Sequence, residues 1–354
     1  MAAILKMIIA FFMSFTQFLA PINNVVDAGG EASYFTKWSS KDEFTQTAYI
    51  EIAKNPDEDF VILNLADVQL NDDEVFSDMG VRANNMIATL IEEQQPDLIT
   101  LTGDNAWGTV AYMELINYID SFDIPWAPVM GNHDGQGCVS EFWAAELFTQ
   151  AENCLFQFGP EDMGYGNYII NITENGEIIH TLFMMDTHDN RDYILKDGTV
   201  LEDEYDHIWP LQFKWYKWAV DGISNIAGRT VESTIFLHIP LYQYREAWAA
   251  AWDEENQCYR PEYAETSFGK NSEWVCSSPV DTGFFDICKE MGSTKNIVCG
   301  HDHVNSSSIV YEGIRLTYGL KLGEGCYYEE GMTGGTTLTI NSQGSVTTEH
   351  HYVD

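Results

Sequence analysis

Short apolar runs that end on a polar residue recur along this chain. Phe60 to Ala66 runs into Asp67, and Leu98 to Thr102 leads through Gly103 to Asp104. Trp126 to Met130 leads to Asn132 and His133, and Thr181 to Met185 ends at Asp186. Ser233 to Leu237 ends at His238, and Lys295 to Cys299 at His301. Runs of this length, bounded by Gly or polar residues, predict buried strands. Between them the apolar spacing is helical. Met79 to Gln95 places Val81, Met86, Ile87, Leu90 and Ile91 near one face, and Gln212 to Ile226 and Gly283 to Met291 behave alike. Alternating strands and helices predict an α/β layered architecture. From Ile309 to Val353 the chain is rich in Thr, Tyr, Gly and Val, which predicts a β-rich finish. No repeat or linker is visible, so 56–354 reads as one domain behind an extension over 21–55 and a leader over 1–20.

This order brings the polar residues to one place, because ligands of open α/β sheets bind beyond the carboxyl ends of the strands. A lone Asp after a strand is more often a turn or helix cap than a ligand. Here five separate strand ends supply Asp67, Asp104, Asn132 with His133, His238, and His301 with His303. Coincidence is a poor account of that set.

Composition narrows the partners. The 354 residues are 45% hydrophobic, enough for a packed core, which excludes global disorder. A formal charge of −38, from 55 acidic and 17 basic residues, repels nucleic acid and anionic membrane surfaces. It would also repel a phosphorylated substrate unless bound cations reverse the local potential. Lys6 followed by the apolar stretch Met7 to Met13, with scattered polar residues from Ser14 to Ala20, predicts a cleaved signal peptide. An uncleaved anchor and a plain N-terminal helix are the alternatives. No other stretch approaches the roughly 20 apolar residues of a spanning helix. The expected destination is secretion, or an endomembrane or lysosome-like lumen.

Seven cysteines accord with export, with Cys138/Cys154 and Cys258/Cys276 as candidate disulfides and Cys299 as a buried thiol. The sequons at Asn171 and Asn305 predict a glycoprotein, with the second left unmodified because it lies beside the strand-end cluster. Oligomeric state is not encoded in any visible pattern.

Carboxylates, imidazoles and an amide carbonyl together suit divalent first-row metals better than calcium. One carboxylate can bridge two ions, and Gly103 lets backbone approach Asp104. Two ions about 3.5–4 Å apart would activate a bridging hydroxide and clamp an in-line phosphoryl displacement. His133 stands beside the ligand-type Asn132 and is suited to protonate a leaving alkoxide. Asp134 either accepts the other ring N–H of His133 or caps the turn. Asp186 and His188 either line the cleft or form a local turn network. His350 and His351 are expected at the surface, and His180 and His207 lack ligand-like companions in sequence.

Four motifs then occur in order: Gly103-Asp104-Asn105, Gly131-Asn132-His133-Asp134, His238-Ile239-Pro240-Leu241 and Gly300-His301-Asp302-His303. The series resembles the calcineurin-like metallophosphoesterase superfamily over about residues 56–342. Gly-His-Asp-His-Val-Asn at 300–305, Trp209-Pro210-x-Gln212-x-x-Trp215 and Gly283-Phe284-Phe285 are similar to its purple-acid-phosphatase-related branch. The resemblance implies a four-layer αββα sandwich carrying two divalent metal ions (Mn, Fe, Zn or Mg). Asp67, Asp104 and His303 would hold one; Asp104 as the bridge, Asn132, His238 and His301 would hold the other. His133 and Asn105 would meet the substrate.

Two positions depart from the family pattern. Gln69 stands where an imidazole is common, and Trp107 where purple acid phosphatases carry a tyrosine ligand. Gln69 either ligates through its carbonyl or hydrogen-bonds behind the ligands. An amide oxygen is a harder, weaker donor, which favours Mn²⁺, Mg²⁺ or Fe²⁺ there. Without the phenolate no purple charge-transfer colour is expected. The function predicted is a phosphomonoesterase. Phosphodiesterase or nucleotide pyrophosphatase activity is the alternative on this fold, and a secreted metal-binding protein without turnover is a different class again.

Overall fold

The structure, a computed structural model, describes residues 34–353, so the leader predicted over 1–20 lies outside the described residues. The elements below belong to the compact unit from Lys37 to Asp354. A five-stranded sheet contains β2 (Phe60–Leu65), β4 (Leu98–Thr102), β6 (Trp126–Val129), β17 (Gly334–Ile340) and β18 (Val346–Tyr352), in the order β18-β17-β2-β4-β6. A seven-stranded sheet contains β1 (Ile50–Ala53), β7 (Tyr168–Glu174), β8 (Glu177–Met184), β11 (Glu232–Phe236), β14 (Thr294–Cys299), β15 (Ser308–Tyr311) and β16 (Ile314–Tyr318). Its order is β1-β7-β8-β11-β14-β16-β15. Strands β2, β4 and β6 run parallel, as do β8, β11, β14 and β16, so their carboxyl ends share a direction within each sheet.

The sheets stack as the inner layers of an αββα sandwich. Between them Tyr168 Oη donates to the Pro128 carbonyl (2.7 Å), and the His180 ring bonds the Gly344 carbonyl (2.7 Å). Buried on both faces, these strands are near-continuously apolar, as β4 (Leu-Ile-Thr-Leu-Thr) shows. The outer layers are helices. One flank carries α1 (Asp78–Gln94) and α2 (Thr109–Asp120), and α3 (Glu141–Phe148) packs beside α2. The other carries α4 (Pro210–Ala227), α5 (Gln243–Ala251) and α6 (Phe284–Met291). The apolar face of α4, with Trp215, Ala219 and Ile223, meets Phe183, Ile235 and Ile297 of the second sheet in one core cluster. Burying each such side chain fully stabilises by about 1.5–3 kcal/mol.

Local chemistry sets the helix limits. Ser77 Oγ accepts from Met79 N at the start of α1 (3.1 Å), with Asp78 in the first turn where the dipole favours an anion. Pro210 opens α4, Gln212 Oε1 accepts from Trp209 N (2.6 Å), and Gly228 ends the helix in the left-handed region. The predicted strands and the three predicted helices are present to within a few residues at their ends. Two short pairs, β3 (Leu70–Asn71) with β5 (Ala106–Trp107) and β12 (Trp252–Asp253) with β13 (Cys258–Tyr259), complete the strands, and the sequence does not predict the hairpins β7–β8 and β9–β10 (Asn190–Ile194 with Val200–Tyr205) as units. No helix among the described residues is long and apolar enough to cross a membrane.

Neither candidate disulfide is formed. All seven cysteines are free thiols. Cys154 is held in a bridge beside Trp126, whereas Cys138 is on an exposed loop against Thr109 Oγ1. Of the two sequon asparagines, Asn171 is fully buried in β7, and its Oδ1 accepts from Thr181 Oγ1 (2.7 Å). Asn305 is buried as well, with Nδ2 donating to Asp302 (3.0 Å).

Candidate metal centre

The loops after β2, β4, β6, β11 and β14 converge at one end of the sandwich. The turns that aim their side chains inward use unusual backbone. Asp67 (φ 53°), Asp104 (φ 48°) and His301 (φ 79°) all lie at positive φ, a conformation non-glycine residues hold only when the surroundings over-determine it. Close approach makes two glycines obligatory. A Cβ on Gly103 would lie 2.5 Å from His238 Nδ1, and one on Gly131 2.2 Å from Asp104 N.

Two groups of donors result, and Asp104 belongs to both. Around His238 Nε2 stand Asn132 Oδ1 (3.0 Å), His301 Nδ1 (3.2 Å) and Asp104 Oδ1 (3.3 Å). On the other side Asp67, Asp104 and His303 present ligand atoms that all lie within 4.8 Å of one another, with His303 Nε2 3.6 Å from Asp67 Oδ1. The six residues predicted from the strand ends are therefore brought together. Their tautomers are set from behind. His238 Nδ1 donates to the Thr102 carbonyl (2.8 Å) and His303 Nδ1 to the Tyr327 carbonyl (2.9 Å), which turns each Nε2 toward the centre.

The buried charges suit cations. Burial, opposed by His238 and reinforced by the Asp104 charge, pushes Asp67 up to about 7. For Asp104 burial acts upward too, but the charge and hydrogen bond of His238 outweigh it and hold the carboxyl well below its usual range. His238 is raised to about 10, since Asp104 and Asp67 overcome the burial that would lower it. Burial and the neighbouring His238 hold His301 well below its ordinary value. Burial and Lys321 lower His303 to about 3. Without a cation His238 therefore carries the proton that balances the carboxylates; with that proton replaced by divalent ions, two carboxylates, three imidazoles and an amide oxygen form a donor set. Two further buried atoms, Gln69 Oε1 and His301 Nε2, have no protein partner. Gln69 Nε2 donates to Asp104 Oδ2 (3.0 Å), so its carbonyl oxygen is the free end.

His133 is part-exposed beside this cluster. Its backbone N–H donates to Asp104 Oδ1 (2.9 Å), its Nδ1 pairs with Gln136 Oε1 (2.8 Å), and its ring stacks on Trp107 (5.3 Å, 20°). The partner expected for that ring, Asp134, is elsewhere. The Asp134 carboxylate is buried and accepts from Asn105 N, Asn105 Nδ2 and Gly131 N (2.7 Å each) and from Tyr112 Oη. It locks the loop of β4 to the loop of β6, and four donors leave it no capacity for an imidazole. Asn105, expected at the substrate, is fully buried with Nδ2 shared between Val129 O and Asp134. Both are corrected to positioning residues.

Asp186 and His188 form the local network, not the cleft. Asp186 takes the Tyr165 N–H (2.7 Å), while His188 stacks on Trp209 (3.7 Å) and bonds Gln212 (3.1 Å). His350 is not a surface residue: its ring bridges Thr336 Oγ1 (2.9 Å) and the Ser306 carbonyl (2.8 Å). Sequence reading missed Lys321, a buried lysine whose Nζ donates to the Asp67 carbonyl (2.6 Å). Its signal was a cation set between Leu320 and Leu322. Gln136, Tyr205 and Tyr327 had no such signal, because loops distant in sequence bring them in.

"Probable inactive purple acid phosphatase 14" of Arabidopsis thaliana is 25% identical over 72% of this chain and 64% of its own. "Phosphatase DCR2" of Saccharomyces cerevisiae is 27% identical over 79% of this chain and 50% of its own. The chain thus spans less than two thirds of the length of either relative. Among solved structures, a dimetal phosphatase from Danio rerio aligns over 82% of this chain and 98% of its own, with 11% identity and a TM-score of 0.48. The sequence profile of the calcineurin-like phosphoesterases matches residues 60–305, the span that carries the converging candidate ligands from Asp67 to His303, and the chain belongs to that family.

Proposed function

We propose that the protein is a metal-dependent phosphoesterase, acting first on phosphate monoesters. The observation that carries this reading is the pair of donor groups sharing Asp104. Asp67, Asp104 and His303, with Gln69 Oε1, would hold one ion; Asp104, Asn132, His238 and His301 would hold the other. When bound, two divalent ions supply an activated water at neutral pH and neutralise the phosphoryl oxygens. The protein's own groups do the rest. His133, held by Gln136 and Trp107 at the open side, delivers a proton to the departing alkoxide. Asp134 fixes the loop that carries both Asn132 and His133, and Thr102 O and Tyr327 O orient the two ligand imidazoles.

A second reading is a metal-binding protein without turnover. It is favoured by Gln69, whose amide donates to Asp104 and replaces a stronger donor. Elemental analysis of the purified full chain, together with hydrolysis of an aryl phosphate and an aryl diester across several metals and pH values, separates the two. Two bound ions with faster monoester than diester turnover is the expected result. Two ions without hydrolysis under any condition would establish the binding role instead.

A further inference from the structure

Three histidines of the centre each have an aromatic ring packed against them. Trp107 stacks on His133, Tyr205 stands edge-on to His301 (4.4 Å, 89°), and Tyr327 stacks on His303 (4.2 Å, 24°). Tyr327 keeps 44% of its surface exposed, so one face lies on the ligand histidine while solvent reaches the ring from outside. Its hydroxyl donates to both oxygens of Glu273 (3.1 and 3.0 Å), and the next residue, Trp274, is 91% exposed. Val304 N, beside His303, donates to the same Glu273 carboxylate (3.1 Å), which pins this part of the rim to the metal loop. The exposed Asp189 is close enough to His133 and Asp104 to feel their charges.

We propose that this rim selects phosphate esters of planar aromatic alcohols that are neutral or cationic. The proposal rests on the phosphoesterase reading above and names its substrate class. The phosphoryl group would be neutralised by the ions, and the rest of the substrate would meet the aromatic rings and the Glu273 and Asp189 carboxylates. Aromatic faces reward a flat π-system by stacking, and they reward a cation on it through the ring quadrupole. Glu273 and Asp189 act against a second anionic group, as does the overall charge of −38. A polyphosphorylated or carboxylated ester is therefore disfavoured where a simple aryl ester is not.

The test measures binding free of leaving-group chemistry, with non-hydrolysable phosphonates titrated calorimetrically into the metal-loaded full chain. Benzylphosphonate should bind about 2- to 12-fold more tightly than cyclohexylmethylphosphonate, the margin of an aromatic pair beyond its area burial. 4-Carboxybenzylphosphonate should bind more weakly than its 4-aminomethyl counterpart. Tyr327→Leu and Trp274→Ala, each checked for normal metal content, should narrow the benzyl preference. Equal affinity for the flat and the puckered ring, in a protein that hydrolyses phosphate esters, overturns the aromatic rim and leaves the phosphoesterase reading intact. Benzyl preference without turnover of any ester keeps the rim and removes the hydrolytic reading. No binding of any phosphonate overturns both.

Discussion

Replacing Asp134 by asparagine separates a positioning carboxylate from a catalytic one. Oδ1 accepts from Asn105 N and Tyr112 Oη, and Oδ2 from Asn105 Nδ2 and Gly131 N. In Asp134→Asn one of the two atoms becomes an NH₂ that faces donors. The Tyr112 hydroxyl can turn to accept, but the backbone N–H of either Asn105 or Gly131 then loses its partner. An orphaned buried donor costs about 1–3 kcal/mol, and the remaining bonds lose their charge assistance, a further ~1–2 kcal/mol. Against this, burial and the Asp104 charge push Asp134 up to about 6, so removing its charge returns part of that cost. The net expectation is about 2–3 kcal/mol of lost stability, read as a shift in the denaturant midpoint at unchanged m-value. Metal affinity should weaken with it, since Gly131 adjoins Asn132, a proposed ligand. Turnover per bound metal should hold, with the acidic limb of the pH profile unmoved. A variant as stable as the parent that binds metal normally but has lost turnover would refute this account and return Asp134 to the chemistry.

The other expectations are narrower. His133→Ala should lower kcat by about 10²–10⁴-fold with metal content preserved, because only its backbone N–H contacts Asp104; elemental analysis showing lost metal would make it a ligand. Gln69→His should tighten the weaker of two metal sites in a chelator competition, by replacing an amide oxygen with an imidazole. Gly103→Ala should reduce metal content and stability together, since its Cβ would displace the His238 ring and the backbone is held at φ 82°. His180 is fully buried and lowered to about 4 by desolvation, its bond to the Gly344 carbonyl opposing. The unfolded chain binds that proton from about pH 6.5 downward. The contribution of neutral His180 is therefore complete above about 6.5 and falls away toward 4, by ~3 kcal/mol at most. His180→Gln should flatten the slope of chemical stability against pH in that window.

The apolar runs determined more about this protein than its helical stretches did. Each run ended in a group that could ligate, and because parallel strands in a stacked sandwich share an end, their order alone was enough to gather Asp67, Asp104, Asn132, His238, His301 and His303. Local turn chemistry of the same kind fixed the ends of α1 and α4. Only the tertiary structure decided what each polar side chain does once gathered. Asp134 and Asn105 read as functional because they adjoin functional residues, yet the buried packing of two loops turned them inward to satisfy each other. The same packing buried Asn171 and kept Cys138 and Cys154 on different elements, against their sequence signals. Gln136 beside His133, Lys321 behind Asp67, and the rings of Tyr205 and Tyr327 come from loops far along the chain. A strand's apolar pattern is a local property and survives in sequence. A hydrogen-bond partner is chosen by proximity in space, and no spacing along the chain records it.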